Sequence, residues 1–132
     1  MSKIIESEDI YKLLKHKGAL SNEQVILGVV SKKRDLIGYH TVGSGSNVES
    51  VIDMDAVNKL VINSPINASI FLVHNHPNED CIPSKDDDLV TERIMEICRI
   101  LSRAFIDHLI IGQDEYFSYK NEVRTKYVSK DN

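Results

Sequence analysis

The chain has 132 residues, a formal net charge of −4, 42% hydrophobic residues and 27% charged residues. These values are ordinary for a soluble globular protein, and they predict that residues 1–132 form one domain around a single core. The negative net charge argues against broad non-specific DNA binding, which needs a basic surface. A small basic patch at residues 32–34 is still compatible with local contacts to nucleic acid.

The sequence carries no sign of export or membrane insertion. It has no cationic segment followed by an apolar one at its start, and no apolar run that approaches the roughly 18 residues of a membrane span. Its two cysteines, Cys81 and Cys98, suggest no disulfide framework, so a reducing cytoplasm is the predicted compartment. Cys98 falls in a helical pattern and is predicted to be core.

The hydrophobic pattern predicts helices and strands in the order α-β-β-α-β-α-β-β. Predicted helices cover residues 7–18 (with Ser7 as N-cap), 53–63 (with Asp53 or Asp55 as N-cap) and 85–103, and predicted strands cover residues 21–30, 36–42, 68–73, 106–111 and 116–119. Residues 43–46 are predicted to be a flexible break, and the last dozen residues a frayed tail or a short helix. The third strand is apolar except at Ser69, so helices should cover both of its faces. The pattern therefore predicts an α/β fold with a central mixed sheet between helices.

The most informative stretch follows the third strand, where residues 74–87 read H-N-H-P-N-E-D-C-I-P-S-K-D-D. His74, His76 and Asp87 make a normal ligand set for a catalytic zinc that keeps a fourth position for water. Each fragment alone has a simpler explanation: a His-x-His pair occurs by chance, and Ser84 with Asp87 can be an N-cap followed by a helix-dipole carboxylate. The complete string, H-x-H-P, six residues and then S-x-x-D, is much more specific.

This string resembles the zinc motif of the JAB/MPN (JAMM) metallohydrolases, and it is most similar to the RadC-like branch, which usually reads H-N-H-P-S-G-D-P-x-P-S-x-x-D. The residues that fit that form are His74, Asn75, His76, Pro77, Asp80, Pro83, Ser84 and Asp87. Asn78, Glu79 and Cys81 depart from it. Residues 107–112, D-H-L-I-I-G, resemble a second segment of the branch, and the resemblance spans residues 21–119. It implies a three-layer α-β-α domain of cytidine-deaminase-like architecture.

The resemblance also implies an activity. A member of this family is expected to be a zinc-dependent hydrolase, a metallopeptidase or isopeptidase, in which His74, His76 and Asp87 bind Zn²⁺ and a metal-activated water cleaves a peptide or protein, such as a ubiquitin-like conjugate. Glu23 matches the upstream general base of the family, and Ser84 matches the donor to the oxyanion of the tetrahedral intermediate. For Glu23 the residues alone leave a second interpretation open, a solvated carboxylate at a strand edge.

Other residues of this region have predicted structural roles. Asn75 should point away from the metal, because side chains alternate along an extended strand, and should shape the loop. Ile106, His108 and Ile110 are predicted to share one face of the fourth strand. His108 is interpreted as a structural histidine, or alternatively as a partner behind the ligands. Cys81 is interpreted as a passive loop residue, or alternatively as a reactive thiol or an extra ligand, and Glu79 replaces a glycine whose backbone freedom the loop normally uses.

Other functions and folds compete with a hydrolase of this family. The RadC-like branch is linked by name to DNA repair, which suggests a nucleic-acid-related or non-catalytic role; its longer members carry an N-terminal helical region of DNA-binding type that these 132 residues lack. A scaffold role is disfavoured because all three ligands are retained. Amidohydrolase barrels need about 250 residues, and zinc nucleoside deaminases use H-x-E with P-C-x-x-C, so neither fits. The substrate, the involvement of DNA and the oligomeric state stay open.

Overall fold

A computed structural model describes residues 2–45, 52–77 and 80–126 of the chain. The elements follow in the order α1 (Ser7–Leu14), a 3-10 helix (Lys15–Ala19), β1 (Glu23–Val30), β2 (Leu36–Gly45), α2 (Met54–Ile62), β3 (Ser69–Asn75), α3 (Lys85–Ile100), β4 (Ala104–Gly112), β5 (Glu115–Ser118) and β6 (Val123–Lys126). The strands form one 6-stranded sheet in the order β2-β1-β3-β4-β5-β6. β3 and β4 pair in parallel and the other neighbours pair antiparallel. The predicted α/β fold with a central mixed sheet is confirmed.

Helices cover the two faces of this sheet. On one face, α2 and α3 pack against a cluster that includes Val25, Leu27, Ile70 and Leu72. On the other face, α1 packs against a cluster that includes Ile26, Val30, Phe71 and Val73. Every residue of β3 is buried, as predicted from its uninterrupted apolar run. Cys98 lies in the cluster under α2 and α3, as predicted for a core residue.

A glycine in β1 leaves room for an aromatic ring of β3. Gly28 pairs with Phe71, and a Cβ atom at Gly28 would lie only 2.0 Å from Cζ of the Phe71 ring. Only a residue without a side chain fits under that ring. The pairing of the two strands places the start of β1 beside the end of β3, where Val25 is opposite His74.

The helices begin and end at slightly different residues from those predicted. Asp53 is the N-cap of α2 and accepts a hydrogen bond from the backbone N–H of Ala56. The N-cap of α1 is Glu6 rather than Ser7, because Ser7 is buried and its hydroxyl donates to Asp107 on β4. α3 ends at Ile100, before the predicted end. In the described ranges, no helix combines the length and apolar character needed to cross a lipid bilayer.

Two segments predicted to be irregular form strands instead. Residues 43–45 continue β2, because Gly43 and Gly45 pair with Val25 and Glu23 of β1; Ser46 lies outside the described residues. Part of the predicted tail forms β6, which pairs with β5. Residues 127–132 lie outside the described ranges. β3 runs on to Asn75, so the first histidine of the motif belongs to the strand itself.

A bulge interrupts the pairing of β4 with β3. Ile70 pairs with Phe105, but the next residue of β3 pairs with Asp107, so Ile106 is the extra residue. Ile106 packs in the cluster under α1, whereas His108 contacts Thr91 of α3 on the opposite face. The prediction that Ile106 shares a face with His108 is therefore wrong, because the bulge changes the alternation of side chains.

Candidate metal centre

The first two predicted ligands lie at the carboxyl end of β3. His74 is the penultimate residue of the strand, and the backbone N–H of His76 donates to the carbonyl of Ile111 on β4 at 2.9 Å. Both side chains are buried. Since the residue between them points to the other side of an extended chain, the two imidazoles face the same side of the sheet edge.

The third ligand is fixed by the start of α3. The Ser84 hydroxyl accepts a hydrogen bond from the backbone N–H of Asp87 at 3.1 Å, and Oδ2 of Asp87 accepts one from the backbone N–H of Ser84 at 2.8 Å. This reciprocal capping box sets the direction of the carboxylate. Oδ1 of Asp87 lies 2.8 Å from Nε2 of His74, and Oδ2 lies 3.1 Å from Nε2 of His76. The structure thus brings together the three predicted ligands.

The three groups form a compact, buried set that could hold a metal ion. The two Nε2 atoms are 3.1 Å apart, and the ligand atoms of His74, His76 and Asp87 all lie within 4.8 Å of one another. Nδ1 of His76 lies 2.9 Å from the backbone carbonyl oxygen of Asp80, which can only accept a hydrogen bond. In its neutral form His76 therefore carries its proton on Nδ1, which leaves the lone pair of Nε2 free for a metal ion. Two imidazole nitrogens and one carboxylate suit a divalent cation such as Zn²⁺.

The pKa values of His74 and Asp87 agree with this use, whereas the pKa of His76 is shifted toward the protonated form that competes with a metal ion. Burial lowers the pKa of His74, and its hydrogen bond with Asp87 opposes this only in part. Burial also disfavours the charged form of His76, but its hydrogen bonds with Asp87 and the Asp80 carbonyl outweigh burial and raise its pKa. Burial favours the neutral form of Asp87, yet the bonds with both histidines hold its pKa well below the usual range. At neutral pH the carboxylate is therefore ionised and His74 is neutral, as metal binding requires.

His108 lies directly behind the ligands. Its ring is fully buried between His74, with ring centroids 4.9 Å apart, and Tyr119, with centroids 4.8 Å apart. Nε2 of His108 is 2.8 Å from Nδ1 of His74, and Nδ1 of His108 is 2.5 Å from the hydroxyl of Thr91. Burial holds the pKa of His108 well below its usual value, so the ring is neutral. Of the two interpretations drawn from the sequence, the structure supports the partner behind the ligands.

Sequence reasoning missed Thr91. Its hydroxyl donates to the backbone carbonyl of Asp87 at 2.9 Å and is buried beside the ligands. The signal was present, because Thr91 follows Asp87 by four residues, and residues four apart share one face of a helix. A polar residue on the buried face next to a predicted ligand was a candidate for this role.

Glu23 lies at the start of β1, beside the histidines. β1 pairs with β3 so that Val25 is opposite His74, and the Glu23 carboxylate is close enough to contribute to the raised pKa of His76. Asn75 holds this segment from both sides: its Oδ1 accepts from the backbone N–H of Gln24 at 2.7 Å, and its Nδ2 donates to the carbonyl of Asn22 at 2.9 Å. Asn75 points away from the ligands, as predicted, and it positions Glu23.

Cys81 belongs to a separate polar cluster under the loop that joins β3 to α3. Its thiol is buried and lies 2.8 Å from Oε2 of Glu115, which forms a 2.7 Å ion pair with Arg124. Burial and the bond with Glu115 raise the pKa of the thiol to about 12, whereas Arg124 lowers the pKa of Glu115 to about 2. Such a thiol is unreactive at neutral pH, and the interpretation as a passive loop residue is supported. Asn78 and Glu79 lie outside the described residues.

Comparison with known proteins identifies one family. The family model described as the RadC-like JAB domain matches residues 4–124. The chain is 35% identical over 121 residues to a UPF0758 protein of Thermotoga maritima. It is 34% identical over 122 residues to one of Methanococcoides burtonii and 31% identical over 121 residues to one of Streptococcus gordonii. Each match covers 91% of this chain but only 52–54% of the relative, so the chain spans about half the length of these relatives.

Proposed function

The chain belongs to the RadC-like JAB domain family, and on that premise we propose that it is a zinc-dependent hydrolase of amide or isopeptide bonds. The observation that carries the proposal is the convergence of His74, His76 and Asp87, whose ligand atoms lie within 4.8 Å of one another in a buried site. The JAB domain superfamily includes metallohydrolases. The proposed substrate is a peptide or protein, with a ubiquitin-like conjugate as one form. The two free cysteines agree with a cytoplasmic location.

Zinc is the metal that this ligand set fits. Two imidazole nitrogens and one carboxylate leave one position open for solvent or substrate, as in catalytic zinc sites. When bound, zinc polarises a carbonyl oxygen and lowers the pKa of water to about 7. The other two tasks are proton transfer, which we assign to Glu23, and stabilisation of the oxyanion, which we assign to Ser84.

Glu23 is proposed to be the general base. Its carboxylate lies close to His76 at the strand end, held there by the bonds of Asn75 to the residues on either side. From this position it takes the proton of the attacking water and returns it to the leaving amine. Because the backbone is held on both sides of Glu23, less freedom is lost when this residue is ordered than in a free loop, which favours this role over that of a freely solvated carboxylate.

Ser84 is proposed to stabilise the oxyanion of the tetrahedral intermediate. Its oxygen accepts from the backbone N–H of Asp87, a bond that uses an oxygen lone pair and not the hydroxyl proton. Ser84 is exposed at the mouth of the site, so its O–H can donate to substrate while it still caps α3. Losing one such donor typically costs about a hundredfold in rate.

The test separates metal binding from catalysis. The wild-type protein, prepared in zinc, should carry about one zinc ion per chain, and it should cleave some members of a panel of fluorogenic peptides and ubiquitin-like fusion proteins. Asp87→Ala should lose both the zinc and the cleavage. Glu23→Gln, the matched control, should keep the zinc and lose the cleavage. A wild-type protein that binds no zinc, or a Glu23→Gln variant with full activity, would refute the proposal.

A DNA-repair-associated role is the alternative, and the electrostatics disfavour it. The net charge is −4, and the first turn of α3, which carries a proposed ligand, contains Asp86 and Asp88 as well. Phosphate groups would be repelled from this end of the molecule. Gel shifts over a series of salt concentrations discriminate between the roles, since tight and steeply salt-dependent binding would favour the alternative.

A further inference from the structure

A chain of buried polar contacts links two of the proposed ligands through residues that do not touch the metal position. Nδ1 of His74 lies 2.8 Å from Nε2 of His108, and Nδ1 of His108 lies 2.5 Å from Oγ1 of Thr91. Oγ1 of Thr91 lies 2.9 Å from the backbone carbonyl oxygen of Asp87. His74 and His108 are 0% exposed and Thr91 is 5% exposed, so water does not compete for these contacts.

The number of available protons determines which atom donates in each of these hydrogen bonds. Thr91 has one hydroxyl proton and two short contacts, one to a carbonyl oxygen that only accepts and one to a ring nitrogen. If the proton went to His108, the oxygen of Thr91 would face the Asp87 carbonyl with a lone pair, and that contact would be repulsive. If the proton goes to the carbonyl, Nδ1–H of His108 donates to Thr91 and both contacts become hydrogen bonds.

The same reasoning continues to the metal position. With its proton on Nδ1, a neutral His108 has only a lone pair at Nε2. Nδ1 of His74 must then carry a proton and donate it to that lone pair. The other nitrogen of His74, Nε2, is left with a lone pair directed toward Oδ1 of Asp87, 2.8 Å away, and Nε2 of His76, 3.1 Å away. A lone pair and a carboxylate oxygen are compatible at this distance only when a cation lies between them, so this assignment describes the metal-bound protein.

We infer that His108 and Thr91 are positioning residues that hold His74 in its metal-binding tautomer. The inference rests on the proposed metal site and adds residues outside the ligand set. In most proteins the second nitrogen of a ligating histidine donates to a carboxylate, a backbone carbonyl or water. Here a neutral imidazole takes that place, and the chain ends on the backbone of Asp87, itself a proposed ligand. His74 and Asp87 are thus held in register by hydrogen bonds that lie outside the metal position.

A pair of substitutions at Thr91 tests the role of the hydroxyl. Thr91→Val keeps the branched shape but removes the acceptor for Nδ1–H of His108. That ring can then place its proton on Nε2, which forces His74 toward the tautomer that cannot bind metal. The expected result is a 10- to 100-fold weaker affinity for Zn²⁺ or Co²⁺, the usual effect of losing such a partner. Thr91→Ser keeps the hydroxyl and should bind within about threefold of the wild type. Affinity is measured by competition with a chromophoric chelator.

A second measurement does not depend on metal affinity or on activity. Long-range ¹H–¹⁵N correlation spectra of the histidine rings distinguish the two neutral tautomers. In the zinc-loaded wild type, His108 and His74 should both carry the proton on Nδ1, whereas in the metal-free protein the 2.8 Å contact between His74 and Asp87 also accommodates a proton on Nε2 of His74. A proton on Nε2 of His108 would overturn the inference, as would a folded Thr91→Val variant with wild-type metal affinity. If Thr91→Val does not fold, the spectrum of the wild type decides alone. A wild type that binds no zinc would refute the proposed function, whereas a zinc-bound wild type with the proton on Nε2 of His108 would refute this inference alone.

Discussion

Asp87 and Asp107 are two buried carboxylates on opposite faces of one sheet, each 1% exposed. Asp107 accepts hydrogen bonds from the hydroxyls of Ser7 and Ser118 and from the backbone N–H groups of His108 and Lys120. Asp87 accepts one from the backbone N–H of Ser84, but its oxygens otherwise face the imidazoles of His74 and His76. The partners of Asp107 are neutral donors that keep their protons, whereas those of Asp87 can give theirs up.

This difference separates a structural carboxylate from a proposed metal ligand. A buried charge must be compensated by hydrogen bonds or by an opposite charge. At Asp107 the chain supplies the donors itself, and the carboxylate joins α1, β4 and β5. At Asp87 two lone pairs and a negative charge converge, which a cation satisfies better than a proton does. Burial alone therefore identifies neither kind of site; the donor or acceptor character of the neighbours does.

The largest expected effect is on metal affinity at Asp87. Asp87→Asn removes the charge of one ligand of three, and we expect zinc affinity to fall by at least about a thousandfold, or about 4 kcal/mol. The amide oxygen can still accept from Ser84, so α3 should remain capped. Titration against a competing chelator measures the change. Asp107→Asn is the matched control and should retain wild-type zinc affinity. If both variants lost zinc, the distinction between a structural carboxylate and a proposed metal ligand would be wrong.

The second largest effect is expected on the stability of the protein when Asp107 is replaced. Asp107→Asn replaces an acceptor of several hydrogen bonds by an amide whose NH₂ group would face donors. We expect the free energy of unfolding of the metal-free protein to fall by about 2–4 kcal/mol. Urea unfolding followed by circular dichroism measures it. A decrease below about 0.5 kcal/mol would mean that Asp107 is not the structural anchor described above.

A pH series should separate the two sites further. The pKa of His76 is raised above its ordinary value of 6.5, and a protonated imidazole cannot bind metal, so zinc affinity should fall as the pH drops through the pKa of His76, by up to about tenfold per pH unit. In the metal-free protein the sign is opposite. Protonated His76 stabilises the folded state, so its contribution is complete below the unfolded value and is lost as the pH rises through the folded one. Calorimetry should show that the stability gained from zinc falls as the pH drops, whereas the stability that His76 gives the metal-free protein falls as the pH rises. If both contributions changed with pH in the same direction, this assignment would be wrong.

The smallest expected effect comes from one donor of Asp107. Ser7→Ala removes the hydroxyl bond between α1 and β4 and should lower the free energy of unfolding by about 1 kcal/mol. Zinc affinity should not change, because α1 lies on the face of the sheet opposite to α3. Thermal unfolding measures the loss. A change in metal affinity would show that the two faces are coupled through the sheet.

The sequence alone predicted which three residues come together at the candidate metal centre, because their signal is local. His74 and His76 are fixed by the alternation of one strand, and Asp87 follows from a helix start that Ser84 marks. The order of most helices and strands was likewise predictable, since apolar runs and helix caps are properties of short segments of sequence.

The rest depended on contacts between distant parts of the chain. The hydroxyl of Ser7 is a suitable N-cap by local criteria, but its partner is Asp107, 100 positions away. The short strand β6 is mostly exposed and charged, so no hydrophobic pattern indicates it, and its pairing with β5 decides its structure. The glycines at the end of β2 suggest a flexible break until β1 supplies partners for them. In each case tertiary pairing overrides local preference.

The extra residue in β4 has a consequence for how this site tolerates insertions and deletions. Phe105 and His108 are three positions apart, yet both face α3, because Ile106 interrupts the alternation between them. Without that interruption the same sequence would turn the His108 ring toward α1 and the Asp107 carboxylate toward the ligands. Deleting Ile106 itself would keep Asp107 and His108 opposite Phe71 and Leu72 and would only remove the bulge. A gain or loss of one residue upstream in the strand that the bulge does not absorb would exchange an imidazole for an anion behind the proposed zinc ion.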